Sequence, residues 1–159
     1  RDDRSRRREH RFRAARVALV SDTGPLYAAM DEADMDHRSC AALFLGTVER
    51  VVVPSPVLVE LEWLATKRLG GKPFEHFLND VDAGAITIVD LTGDDYRRCR
   101  DLMRQYADFP LGFVDAAVVA VVERLSEPKL ATLDHRHFLA VRPAHVPSLT
   151  LLPEYPPAS

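Results

Sequence analysis

From Val17 onward, short runs of β-branched and aliphatic residues alternate with longer segments of helical periodicity. That alternation restricts the chain to an α/β domain in which a parallel sheet is wrapped by helices. The strand segments read as Val17–Ser21, Val51–Val53, Ile86–Val89, Leu130–Leu133 and Leu149–Leu152, four to five short strands. Each is mostly apolar, as expected when both faces of a sheet are covered. Between them Pro25–Ala33, His37–Glu49, Pro56–Leu69, Pro73–Ala83, Asp94–Tyr106 and Phe113–Leu125 read as helices, with one further turn at His135–Leu139. The punctuation agrees. Ser55-Pro56 sets a capping hydroxyl before a proline suited to the first helical position, Gly70-Gly71 follows that helix and Gly84 closes the next. Thr92 and Asp95 have the spacing of a cap with an acidic partner.

The 159 residues, 47% of them hydrophobic, suffice for one domain with a single core, expected over residues 17–152. Cys40 and Cys99 are too few and too far apart for a disulfide framework or a tetrahedral zinc site, which points to a reducing, cytoplasmic setting. No apolar run reaches the ~20 residues a membrane helix needs, and the longest, Phe113 to Val122, carries Asp115. The basic start leads into an apolar stretch too short for a secretory signal.

The net charge of −3 conceals an asymmetry, because residues 1–16 hold eight arginines against three acids, a local net of +5, leaving −8 on the remainder. A segment of that composition buries too little surface to offset its ordering entropy and reads as a disordered tail. It fits a cloning remnant, an upstream extension or a basic arm for RNA or an acidic partner. Residues 153–159 read as a flexible C-terminal end.

In an open parallel sheet, active sites form beyond the carboxyl ends of the strands. Asp22 ends the first strand segment, and Asp134 follows the fourth. Glu60 lies in the first turns of the helix after the second strand, in the apolar run Pro56-Val57-Leu58-Val59-Glu60-Leu61. Asp115 holds the corresponding place in Phe113-Val114-Asp115-Ala116-Ala117-Val118. Carboxylates are almost never buried unpaired, so each needs compensation. Any one of them fits a helix cap or an arginine partner. Four together would repel and take up protons unless a cation neutralised them, and hard Mg²⁺ or Mn²⁺ suits an all-oxygen donor set. Such an ion in an acidic pocket suits water attack on a phosphodiester. The six histidines form no helical zinc pair at i, i+4. His135 and His137, flanking Arg136 just after Asp134, form a cluster that offers phosphate contact, and a solvated loop accounts for it equally well.

These residues resemble the PIN-domain ribonucleases, and among them the VapC toxins of bacterial toxin–antitoxin pairs. The matching stretches are Leu19-Val20-Ser21-Asp22-Thr23-Gly24-Pro25-Leu26, Pro56 to Leu64, Leu111 to Val118 and Ala131-Thr132-Leu133-Asp134-His135-Arg136-His137-Phe138. The resemblance implies a three-layer α/β/α fold, Mg²⁺- or Mn²⁺-dependent endonucleolytic cleavage of RNA, often transfer RNA, and a homodimer. It also implies a cognate antitoxin whose tail covers the acidic groove. Carried over residue by residue, Asp22 and Asp115 become the principal metal ligands. Glu60 and Asp134 complete the catalytic quartet directly or through water, with Thr23 and Thr132 as supporting hydroxyls. Glu62 competes with Glu60, but a helix turns it about 200° away, and Glu60 follows the Pro-Val-Leu-Val run as the family acid does. The basic segment before Val17 departs from the family pattern.

The acidic balance opposes RNA binding unless basic groups form a rim. Lys67, Arg68, Lys72, Arg97, Arg98, Arg100, Arg104 and Arg136 could supply one, although Arg97, Arg98, Arg100 and Arg104 read more simply as the wet face of an amphipathic helix. Two other functions compete. Asp22-Thr23-Gly24 is also the aspartic-protease signature, which demands an all-β body with two such loops in contact. A catalytically inactive PIN-like module that binds RNA or antitoxin is the other.

Overall fold

The computed structural model describes residues 17–154. The basic segment 1–16 and most of the C-terminal end lie outside the described residues, and the expectations for them with it. In chain order the elements are β1 (Ala18–Ser21), α1 (Thr23–Met30), α2 (His37–Gly46), β2 (Arg50–Pro54), α3 (Ser55–Leu69) and α4 (Lys72–Asp82). β3 (Ile86–Val89), α5 (Gly93–Gln105), α6 (Phe113–Leu125), β4 (Lys129–Ala131), α7 (His135–Ala140) and β5 (Thr150–Leu152) follow. The five strands form one sheet in the order β3-β2-β1-β4-β5, and every pairing is parallel. Helices cover both faces, giving three α/β/α layers.

The core explains why the apolar runs take these forms. β1 is buried throughout, β2 from Val51 on, as strands covered on both faces must be. Ala116 to Val122 of α6 is buried without a break; that helix packs on β1, β2 and α5, while α3 touches β2 and α4 touches β3. The expected caps hold at three places, among them Gly84, which closes α4 at φ 78°. Gly70 ends α3 at φ 85°, a conformation glycine adopts without steric cost. Thr92 and Asp95 form a reciprocal capping box at the start of α5.

Several expected boundaries shift. Ser55 is the first residue of α3, preceded by Pro54, and caps nothing. α1 starts at Thr23, ahead of the expected Pro25, since a proline in the first turn removes only an N–H that has no partner in the helix. α1 stops at Met30 and α2 at Gly46, each three residues short of the expected end. β4 stops at Ala131, two residues before Leu133, because the Thr132 hydroxyl turns to Asp22 while its N–H still reaches Leu152 O at 2.9 Å.

α5 and α6 are braced by two ion pairs. Arg98 binds Glu123 through Nε (2.7 Å) and Nη2 (2.8 Å), and Arg124 binds the buried Asp95 at 3.0 and 3.2 Å. Arg98 is therefore no part of a wholly solvated face. Removing one member of such a pair leaves a charge uncompensated, which costs roughly 3–5 kcal/mol where the pair is buried. The brace holds the last turn of α6, the helix whose first turn carries Asp115.

Candidate active site

With β1 central and β4 on the side away from β2, the strand order reverses direction between β1 and β4. Crevices form at such a switch point, beyond the strands' carboxyl ends. Asp22 and Thr132 directly follow these two strands, and the Asp22 N–H donates to Ala131 O at 2.9 Å, stapling the two ends together.

Asp22 is 7% exposed. Its Oδ2 accepts the hydroxyl of the fully buried Thr132 at 3.0 Å. Burial raises its carboxyl from the ordinary 3.8 to about 6; Asp115 and Glu60 add to the rise, while the Thr23 backbone N–H and the Thr132 hydroxyl oppose it. Asp115 lies in the first turn of α6, and its Oδ2 accepts the Gly112 N–H at 3.3 Å. Burial pushes its carboxyl up too, with Asp134 and Glu60 adding, against the Gly112 N–H and His137. Glu60 is exposed on α3 yet acts on both aspartates. Glu62 instead accepts the Thr66 hydroxyl at 3.0 Å along its own helix.

Asp134 caps α7, its Oδ1 accepting the His137 N–H at 3.1 Å, and its own N–H donates to Thr132 Oγ1 at 3.1 Å. Thr132 thus ties Asp22 to the turn that carries Asp134. His137, which with His135 flanks Arg136, places Nδ1 2.5 Å from Asp134 Oδ2 and 3.9 Å from Asp115 Oδ2, without a regular hydrogen bond there. Thr23 Oγ1 is buried with no hydrogen-bond partner among the described residues.

Of the expected RNA contacts, Arg136 is exposed and His135 half-buried in the first turn of α7. Lys67 lies over the Trp63 ring at 4.6 Å and Arg68 over Tyr27 at 5.6 Å, so both are engaged with aromatic faces. An open apolar cleft of about 980 Å³ adjoins Glu60, walled by Val59, Trp63, Leu64, Phe113 and Val114.

The donor set is carboxylate and hydroxyl oxygen, with an orphaned buried hydroxyl at Thr23. Among the described residues no three His, Cys, Asp or Glu side chains form a ready metal cage. That combination fits a hard ion that keeps most of its waters and takes one or two carboxylates. It does not fit a closed zinc site. The parallel sheet also removes the aspartic-protease alternative, which requires an all-β body.

A family model for the PIN domain matches residues 19–142. The chain belongs to the PIN-domain family. This PIN domain is 28% identical over 135 residues to Ribonuclease VapC26 of Mycobacterium tuberculosis, covering 85% of this chain and all of the relative. Among solved structures it is similar to Mycobacterium tuberculosis VapC20, a sarcin-ricin-loop-cleaving toxin. The TM-score is 0.66 at 18% identity, over 70% of this chain and 86% of the other. It is also similar to a chain of VapBC2 from Rickettsia felis bound to a promoter DNA fragment, with TM-score 0.62 and 16% identity, over 85% and 97% of the two chains. At these identities the structural likeness speaks for the PIN fold.

Proposed function

We propose that this PIN domain is a divalent-metal-dependent endoribonuclease, the toxin of a toxin–antitoxin pair, acting in the cytoplasm. The observation that carries the reading is the buried Asp22 carboxylate, kept from easy ionisation by burial, Asp115 and Glu60 at the switch point of the sheet. A site that strains its own carboxylates in this way favours a bound cation. The likeness to Ribonuclease VapC26 supports an RNA phosphodiester as the bond cleaved.

Asp22 and Asp115 are the principal holders of Mg²⁺ or Mn²⁺, and Glu60 and Asp134 complete the acidic set. The bound ion supplies a water of lowered pKa and screens charge on the phosphate. Thr132 aims Asp22 by donating its hydroxyl, which favours the ionised form against burial, and Thr23 brings a second hydroxyl to the same turn. Glu60, the exposed acid, is the carboxylate free to accept the nucleophile's proton. Arg136 and His135 stand beside Asp134 for phosphate contact, with Lys67 and Arg68 along α3. Single-stranded or loop RNA, transfer RNA included, is the expected substrate.

Similarity to chains of toxin–antitoxin assemblies supports a cognate antitoxin as partner. Exposed Val59, Trp63, Tyr96 and Phe113 beside the active site support a homodimer.

The test is incubation of antitoxin-free protein with end-labelled RNA in Mg²⁺ or Mn²⁺. Cleavage that stops with EDTA is the expected result. RNA bound stoichiometrically without cleavage in any divalent metal would favour the inactive module, and no interaction with RNA at all would overturn the reading.

A further inference from the structure

α3 carries three chemically different groups on one face, Glu60, Trp63 and Lys67, at i, i+3 and i+7. They follow one another over about 10 Å of helix. Glu60 belongs to the acidic set of the site, and Lys67 places Nζ 4.6 Å from the centre of the Trp63 ring. Trp63 is the chain's single tryptophan and is 57% exposed. The second aromatic wall of the open cleft beside Glu60 is Phe113, two residues before Asp115 and 42% exposed. Its ring is steadied by a parallel stack on Tyr96, with centroids 6.4 Å apart and 7° between the planes. Exposed aromatic rings grouped in this way beside a polar site mark a binding surface.

Position and charge say what the cleft takes. Glu60 joins its lining to the acids, and Lys67 sets an ammonium one turn beyond Trp63. An unpaired base brings a π face to such rings and a phosphate on either side, one for the acidic site and one for the ammonium. A cation resting over an exposed ring is only weakly held, so Lys67 is free to turn to a phosphate.

We infer that the cleft between Trp63 and Phe113 is a base-stacking subsite, which seats the unpaired base next to the scissile phosphate while Lys67 binds the phosphate beyond it. The subsite rests on the ribonuclease reading above and narrows it, since the RNA must present an unstacked nucleotide at the cut. The opening, about 980 Å³, exceeds what one base fills, so a second copy resting on the rim of the same face is compatible with a base inside.

The single tryptophan makes the test direct. Full-length protein in Ca²⁺, under conditions in which a gel shows the RNA uncut, is titrated with a short oligoadenylate and, separately, with inorganic polyphosphate. The oligoadenylate should quench Trp63 emission; polyphosphate, which has the charge but no base, should not. Variant affinities are read by anisotropy of fluorescein-labelled oligoadenylate. Trp63→Leu keeps an apolar side chain without a π face and should bind about 5-fold to about 150-fold more weakly, the worth of one stacked base. Trp63→Tyr should recover most of that loss. Lys67→Gln should lower the salt dependence of binding by about one phosphate contact, and an unchanged slope removes Lys67 from the subsite. RNA bound with Trp63 emission unchanged, or with wild-type affinity in Trp63→Leu, overturns the subsite and leaves the ribonuclease reading standing. Trp63 emission that blue-shifts as the protein associates and then ignores RNA also overturns it, because a second copy then covers the cleft. Stacking tolerates any base, so oligoadenylate that does not bind at all overturns the subsite as well, and the cleavage assay above decides the ribonuclease reading by itself. Should Trp63→Leu fail to fold, the wild-type response to the two ligands decides alone.

Discussion

Replacing Asp22 with asparagine should make the metal-free protein more stable at neutral pH, and the gain should vanish in acid. The carboxyl is almost wholly buried, and its pKa in the folded chain is about 6 against an ordinary 3.8. A carboxyl with a raised folded-state pKa is held protonated more tightly in the folded chain than in the unfolded one. Its contribution to stability is therefore full below the unfolded value and lost as pH rises through the folded value. Across that window the loss comes to about 3 kcal/mol, at about 1.4 kcal/mol for each pH step between the two values. Asparagine keeps the acceptor for Thr132 and carries no proton to lose. Urea unfolding in EDTA, followed by far-UV circular dichroism from pH 4 to 7.5, measures both proteins. Their difference in unfolding free energy should move in favour of the variant by about 2.5 kcal/mol over the range, the rest of the change lying below pH 4. Adding Mg²⁺ at pH 7.5 should stabilise the wild type and have little effect on the variant. A difference that stays flat with pH would refute the claim that burial and neighbouring acids strain Asp22.

Thr132→Val keeps the shape but removes the donor to Asp22 and the acceptor for the Asp134 N–H; it should cost about 1–3 kcal/mol by urea unfolding and slow RNA cleavage. Gly24→Ala would set a Cβ 3.3 Å from Leu133 Cβ. The crowding should cost about 1 kcal/mol and lower cleavage activity, since Leu133 precedes Asp134. Trp63→Glu, on the exposed apolar face of α3, should shift the protein to a monomer in light scattering, and an unchanged mass would remove that face from the dimer.

Much of the fold was readable because its signals are local. Alternating strand and helix segments, Gly70 at the end of α3 and the Thr92–Asp95 box each depend on neighbours within a few residues. The parallel arrangement then brings Asp22 and the Asp134 turn together without further information, because β1 and β4 are adjacent and end on the same side. What the sequence conceals is contact between distant positions. Nothing marks Arg98 as the partner of Glu123, 25 residues on, rather than as one more basic residue on a wet face. The hydroxyl of Thr132 is hidden in the same way, since its partner is an acid 110 residues away. Helical angle only sets Glu60 and Glu62 on different faces, and the preference for Glu60 rests on the Pro-Val-Leu-Val run before it; in the structure Glu60 acts on the buried aspartates and Glu62 bonds along its own helix. The sequence sets His137 in a polar cluster beside Arg136 and carries no sign of its edge-on contact with Phe109.

The central claim is that carboxylates at the switch point direct a water, not an RNA hydroxyl, at the phosphodiester. Cleavage of RNA in ¹⁸O-labelled water with Mg²⁺ tests it most directly, read by mass spectrometry of the product ends and run beside Asp115→Asn. The account predicts one ¹⁸O in each newly formed terminal phosphate, no 2′,3′-cyclic phosphate, and activity reduced at least about a hundredfold in the variant. Cyclic-phosphate ends, or full activity in Asp115→Asn, would contradict it.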